Sequence, residues 1–228
     1  MDQTWQRVRG RLQAGRTIRA VNFHNTPQSL EDNYRRQFEW YAQRYVSIGE
    51  DELTQWFETG GWTDERPGLI LSFYNGYRNN FEVARPLLEE YGLRGWFFVP
   101  SGFVSVPVGE QADFAAAHHL SIVPEERARP GERLAMSWDE VRELRDRHVV
   151  ASHTRTHAYL DSGANLASLH TEIVGSQRDF EAHLGHPVRS FAWLFGRAYE
   201  PGDTAAALLR EAGYSFLFAN TGIHRLPA

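Results

Sequence analysis

Six short apolar runs punctuate the chain, and their spacing is the strongest constraint on its fold. They occupy residues 18–23 (IRAVNF), 69–73 (LILSF), 95–99 (GWFFV), 149–152 (VVAS), 190–194 (SFAWL) and 215–219 (SFLFA), with amphipathic stretches between them. Runs this short, bounded by turn-forming residues, read as strands covered on both faces. Strands alternating with helices in this way mark an α/β fold with a mostly parallel sheet of at least six strands. Such units close as a doubly wound sheet or as a barrel. In either case ligand groups gather where the strands end and the loops begin.

The intervening stretches carry helical periodicity. Leu30, Tyr34, Phe38, Tyr41 and Tyr45 give one apolar face to a long helix, and a second, short helix is expected over residues 50–58. Val83, Leu87, Leu88 and Tyr91 predict a helix that stops at Gly92, with Pro86 near its first turn. Ser137 and Glu140 form a capping box that opens a helix running to about residue 148. Leu166, Leu169, Ile173, Phe180 and Leu184 share a face on a long helix closed by Gly185 and Pro187, and Ala205, Leu208, Leu209 and Ala212 mark the last helix. Residues 101–130 are irregular, with only 111–119 helical in pattern, as in a binding loop. No linker interrupts the series. The 228 residues therefore read as one domain, 1–228, whose first 66 residues supply a strand and helices ahead of the main repeat.

Composition narrows the chemistry. The chain has no Cys, which excludes disulfides, thiolate metal sites and a Cys nucleophile, so any transition metal must be held by His, carboxylate or amide oxygen. With 29 acidic residues against 24 basic ones it carries no electrostatic footprint for nucleic acid. No stretch approaches the roughly 20 apolar residues of a membrane span, and the charged first 20 residues do not resemble a signal peptide, so a cytoplasmic location is the expectation.

Polar groups collect at the strand ends. His24 follows the first run, Tyr74 and Asn75 the second, Pro100 the third, His153 and His157 the fourth, Phe195 and Gly196 the fifth, and Asn220 the sixth. The H-x-x-x-H spacing of His153 and His157 puts two imidazoles on one side of a helix-like turn, close enough to share a metal or to be hydrogen-bonded around a loop. In a barrel His24 would stand on the same rim, as a substitute ligand, a substrate contact or a histidine bonded within its own turn. Tyr77, Trp96, Phe103 and Trp193 lie near strand ends, where an aromatic plane serves as a substrate-binding contact or simply belongs to the core. His118 and His119 share a helical stretch of which at most one can face inward.

Several segments together carry a family resemblance: LILSFYNGYRNN (69–80), GWFFVPSGF (95–103), SHTRTH (152–157) behind a helix opening with SWDE, and FAWLFG (191–196). In this order, over about residues 67–214, they resemble the polysaccharide deacetylases of the NodB-homology family, carbohydrate esterase family four. The resemblance implies a distorted (β/α) barrel of about seven strands. It also implies metal-assisted hydrolysis of N-acetyl or O-acetyl groups on sugars. A divalent metal, most often zinc, would be held by an Asp of a TFDDG-like motif and by two histidines, with a second Asp as general base and a late His as general acid. Carried over, His153 and His157 match the metal histidines, Asn75 stands at the aspartate ligand, Tyr74 at the base, and His224 is the nearest counterpart of the late acid.

The FYNG segment departs from that pattern. Tyr74 is a proton donor at neutral pH rather than a base, and Asn75 offers a carbonyl oxygen without charge. Two functions follow as expectations. One is a hydrolase of a non-peptide carbon–nitrogen bond, such as a sugar N-acetyl group, with an atypical site in which Tyr74 donates to the oxyanion and His24 replaces a carboxylate. The other is a catalytically inactive carbohydrate-binding relative of the same fold.

Overall fold

The computed structural model describes residues 17–62, 64–127, 131–160, 163–194, 199–219 and 222–227. Strand β1 (Ile18–Phe23) leads to helices α1 (Glu31–Arg44) and α2 (Glu50–Thr59), with the two-residue strand β2 (Val46–Ser47) between them. Then come β3 (Gly68–Tyr74), helix α3 (Arg85–Glu90), β4 (Gly95–Val99), α4 (Ser101–Ser105), α5 (Gln111–Ala117), α6 (Trp138–Leu144) and β5 (Val149–Ser152). Helix α7 (Leu166–Leu184), β6 (Ser190–Ala192), α8 (Thr204–Glu211), β7 (Phe216–Ala219) and β8 (Gly222–Arg225) complete the series.

The strands form one curled sheet in the order β1-β3-β4-β5-β6-β7-β8, with β2 beside the start of β3. All pairings are parallel except that of β7 with β8. β1 and β8 are the two ends of this path, so the barrel is open between them. Parallel strands present alternate residues to opposite faces, and the buried side chains divide accordingly. Leu69, Leu71, Phe73, Phe97, Val99, Phe191 and Leu217 belong to the cluster shared with the helices. Ile70, Trp96, Phe98, Ala151, Ala192, Phe216 and Phe218 fill the inside of the curl together with Ile48, Leu53 and Trp62.

The helices form where periodicity and caps predict, with a few differences. The Ser137 capping box is present, its hydroxyl accepting from Glu140 N–H at 3.3 Å and the Glu140 carboxylate accepting from Ser137 N–H at 2.7 Å. That helix ends at Leu144 rather than near residue 148. His148 turns inward instead, where its Nδ1 accepts from Gly95 N–H at 3.1 Å. Burial holds its imidazole down at about 4. One wide π-helical turn, Asn80–Ala84, precedes α3 and keeps Asn80 buried, and Pro86 sits in the first turn as expected. Strands β2 and β8 have no apolar run and were not expected. β8 pairs as an antiparallel return next to β7.

A buried latch joins the exits of β1 and β3. Thr26 N–H donates to Asn79 Oδ1 at 3.0 Å, and the single proton of Thr26 Oγ1 is shared between the Asn79 carbonyl at 2.9 Å and Asn80 Oδ1 at 3.0 Å. It fixes the segment that carries His24.

Trp96 has no exposed surface, and its Nε1–H donates to the Ile48 carbonyl at 2.7 Å. The residue is a core anchor and not a sugar platform. Trp96→Ala is therefore expected to cost about 3–5 kcal/mol in urea unfolding while leaving the ligand affinity of the folded fraction unchanged.

Candidate active site

Strand parity delivers His24, Tyr74 and His153 to one rim. Phe23 packs outward with the helix-side cluster, so His24 turns inward; Tyr74, at the end of β3, is on the same face. The rings stack across three neighbouring strands: His24 on Tyr74 at 5.5 Å between centroids, and Tyr74 on Phe98 at 4.8 Å. The edge of His153 meets Tyr74 at 5.1 Å, and His157 lies 5.1 Å from His153.

The turn after β5 sets the two histidines. His153 N–H continues the ladder by donating to the Val99 carbonyl at 3.1 Å, and Thr154 and His157 then adopt positive φ angles of 63° and 60°. These are sparsely populated for residues with a side chain, and they bend the chain so that both rings face the same space. His153 Nδ1–H donates to the Ala192 carbonyl at 3.1 Å and His157 Nδ1–H to the His118 carbonyl at 2.8 Å. A proton tied to Nδ1 assigns the lone pair to Nε2 in each ring. Burial holds His153 well below the usual imidazole range, His157 down at about 4, and His24 below its ordinary value. All three are neutral at neutral pH.

These groups line a cavity of about 580 Å³, of the size that holds a small ligand. Asn75 lies at its wall with a φ of 77°, a left-handed conformation that asparagine tolerates. Its Nδ2 donates to Tyr77 Oη at 3.1 Å, while its buried Oδ1 has no hydrogen-bond partner. Tyr77 and Trp193 also border the cavity. So does His119, the one of the neighbouring histidine pair that faces inward. The His118 ring lies tilted against Phe114 at 4.2 Å between centroids and its carbonyl accepts from His157, while His119, at φ 57°, turns into the cavity. The neighbouring pair of histidines was the available signal, but no helical periodicity predicts a left-handed residue. No carboxylate and no Lys or Arg lines the cavity among the described residues.

Other expected site residues are not brought there. Phe103 has no exposed surface and packs on Phe114 and Tyr77. His224 stands opposite Leu217 in the β7–β8 ladder, and Leu217 faces the helix-side cluster. Parity therefore turns His224 outward, against Tyr199 at 4.9 Å, while its neighbour Ile223 reaches the cavity. Its assignment as a late general acid is corrected accordingly. Phe195, Gly196 and Asn220 lie outside the described residues.

An open barrel of parallel strands with a histidine pair at its C-terminal rim is the architecture of a NodB-type deacetylase fold. The sequence profile described as polysaccharide deacetylase matches residues 61–217, and the chain belongs to this family. Among solved structures it is similar to IcaB from Ammonifex degensii, with a TM-score of 0.66 and 19% identity over 90% of this chain and 84% of that one. It is also similar to the deacetylase PplD from Streptococcus pyogenes in complex with acetate, with a TM-score of 0.65 and 16% identity over 86% and 80% of the two chains. A de-N-acetylase from Aggregatibacter actinomycetemcomitans gives 0.64 and 17% over 92% and 91%. No curated protein matches the chain in sequence. At these identities the structural matches speak for the fold, and they agree with the barrel described above. No helix among the described residues is long and apolar enough to cross a membrane.

Members of this family generally depend on a metal, and the donors present can be tested against one. Two imidazoles with anchored Nδ1–H groups and one orphaned buried amide oxygen are chemically suited to a borderline dication such as zinc. They supply no negative charge, and among the described residues no three His, Asp or Glu side chains gather as a metal cluster. The donor set fits a divalent ion in chemistry and leaves its charge uncompensated.

The lowered histidines make stability depend on pH. Where a folded-state pKa is below the unfolded value, the unfolded chain takes up protons first, so stability is full above about pH 6.5 and falls as pH drops toward 4. Urea midpoints measured between pH 7 and pH 4 are expected to decrease monotonically, and His148→Gln should flatten part of that slope.

Proposed function

We propose that the protein is a hydrolase of the deacetylase type, removing an acetyl group from the nitrogen of an acetylated carbohydrate at the rim cavity. The observation that supports this reading is the pair of imidazoles with Nδ1 protons committed to the Ala192 and His118 carbonyls, so that Nε2 is the unprotonated nitrogen of each ring, the form a metal ligand needs. His153, His157 and the Asn75 carbonyl would hold a divalent ion, which when bound supplies Lewis acidity toward a carbonyl oxygen and an activated water.

The chain's own groups divide the remaining work. His24 is neutral because burial lowers its pKa, so it can accept a proton from the attacking water. Tyr74 is pushed up to about 12 by burial, so its phenol stays protonated and donates a hydrogen bond to the oxyanion that develops on the acetyl carbonyl. When the carbon–nitrogen bond breaks, the proton held on His24 passes to the departing nitrogen, leaving acetate and a free amine. Trp193 borders the cavity as the aromatic contact for the sugar, while Tyr77, 1% exposed, is a core ring whose hydroxyl accepts from Asn75.

A second reading rests on the absence of a carboxylate from the described cavity lining: glycan binding without turnover. Metal analysis of protein purified without added metal, combined with acetate release from N-acetylated oligosaccharides with and without zinc, separates the two. Under the hydrolase reading, acetate release depends on His153. Tyr74→Phe then lowers kcat by about 10²–10³ with a small change in KM, and His24→Ala lowers kcat as well. Oligosaccharide binding with no metal and no acetate would sink the hydrolase. Asn75→Asp is expected to tighten zinc binding, read by calorimetry, because it supplies the missing charge.

A further inference from the structure

Glu172 is a carboxylate whose hydrogen bonds all go to the turn between His153 and His157. It projects from α7 and is 6% exposed. One oxygen, Oε2, accepts from Arg155 N–H at 2.9 Å and Thr156 N–H at 2.8 Å, and the other, Oε1, accepts from Thr156 Oγ1 at 2.7 Å. We infer that Glu172 is the positioning residue that sets His157 against His153. The inference rests on the reading of that pair as the working part of the site.

The geometry explains why the turn needs an external holder. Between the two histidines the chain is neither helix nor strand, so its N–H groups have no regular partners. Thr154 and His157 both stand at positive φ, a conformation that persists only where surrounding contacts enforce it. The remaining contacts grip other atoms of the same turn. Ser176 Oγ donates to the Thr154 carbonyl at 3.2 Å, Gly102 N–H donates to the Arg155 carbonyl at 2.7 Å, and Arg155 Nε lies 2.9 Å from Asp179 Oδ2. A Cβ on Gly102 would meet the Arg155 carbonyl oxygen at 2.7 Å, so α4 closes on the turn as tightly as the backbone permits. Within this frame only Glu172 takes the two converging N–H groups just before His157. His153 is held separately, by the strand ladder to Val99.

A carboxylate accepts all three bonds with no donor left over. A glutamine can reproduce them by receiving both N–H groups on its oxygen and turning its NH₂ to the Thr156 hydroxyl. An alanine makes none of them, and an aspartate retracts its oxygens by one methylene. These substitutions separate positioning from general stability.

The test uses the full chain with ¹⁵N-labelled imidazoles at neutral pH, together with Co²⁺ titration. In the parent protein both rings are expected to show the neutral Nδ1–H signature. In Glu172→Ala and Glu172→Asp the His157 signature should move to a mixed tautomer while His153 keeps its own, with far-UV circular dichroism unchanged. Co²⁺ affinity should fall by about tenfold or more, and Glu172→Gln should restore both readouts. If Glu172→Ala does not fold, Glu172→Asp carries the comparison. A His157 signature unchanged in the folded variants, or one lost equally from His153, overturns the inference. Should the parent bind no Co²⁺ and release no acetate, the proposed hydrolase fails, while the tautomer comparison still decides the role of Glu172.

Discussion

The register of β3 between β1 and β4 is the constraint on which the rest of the structure depends. It aligns one aromatic stack on each face of the sheet. Outside, Phe23, Phe73 and Phe97 stack at 5.1 Å spacings beneath the helices. Inside, one residue further along each strand, His24, Tyr74 and Phe98 stack at 5.5 and 4.8 Å. A slip of one residue would exchange the two faces, placing phenylalanines in the cavity and burying His24 and Tyr74 under the helices. The outer stack thus protects the chemistry of the inner one, and the Thr26 latch to Asn79 and Asn80 holds the segment just beyond it.

Among the described residues, what the rim presents is neutral. Three imidazoles are held uncharged by burial, the phenol of Tyr74 stays protonated, and Asn75 adds an amide. Burying neutral groups that keep hydrogen bonds costs far less than burying unpaired charge, which explains how so polar a rim coexists with an apolar interior. The carboxylates near the site serve the frame. Glu172 and Asp179 face the turn from behind, on α7, where they hold backbone and Arg155 rather than the cavity.

The fold was legible because it rests on local patterns. Strands β1, β4 and β5 coincide with their apolar runs, and the helices end at residues such as Gly92 and Gly185 that adopt left-handed φ. β2 and β8 were invisible because two or four residues without an apolar run carry no periodicity; they are defined by their neighbours. The cavity lining was legible where a residue stands at a strand end or directly after it, as with His24, Tyr74, Asn75 and His153. It was obscured where orientation depends on parity in an unexpected strand, as with His224, or on a left-handed loop residue, as with His119. For Trp96, Tyr77 and Phe103 the core alternative holds although each lies near a strand end. Sequence gives a residue's position along the strand, while the face it takes is set by pairing.

The same geometry bears on the Tyr74–Asn75 pair. A carboxylate at position 74 would stand between the rings of His24 and Phe98, and the desolvation that raises the Tyr74 phenol would raise an aspartate as well, keeping it protonated further into the neutral range. Tyrosine suits this position better, because its ring completes the stack and its protonated hydroxyl is the form that burial favours. At position 75 the left-handed backbone accepts asparagine or aspartate about equally, and the orphaned Oδ1 marks where an acceptor is wanted. Tyr74 and Asn75 therefore have different physical standing: Tyr74 is built into the aromatic stack, whereas Asn75 stands where a change of side chain alters the charge of the cavity wall and little else.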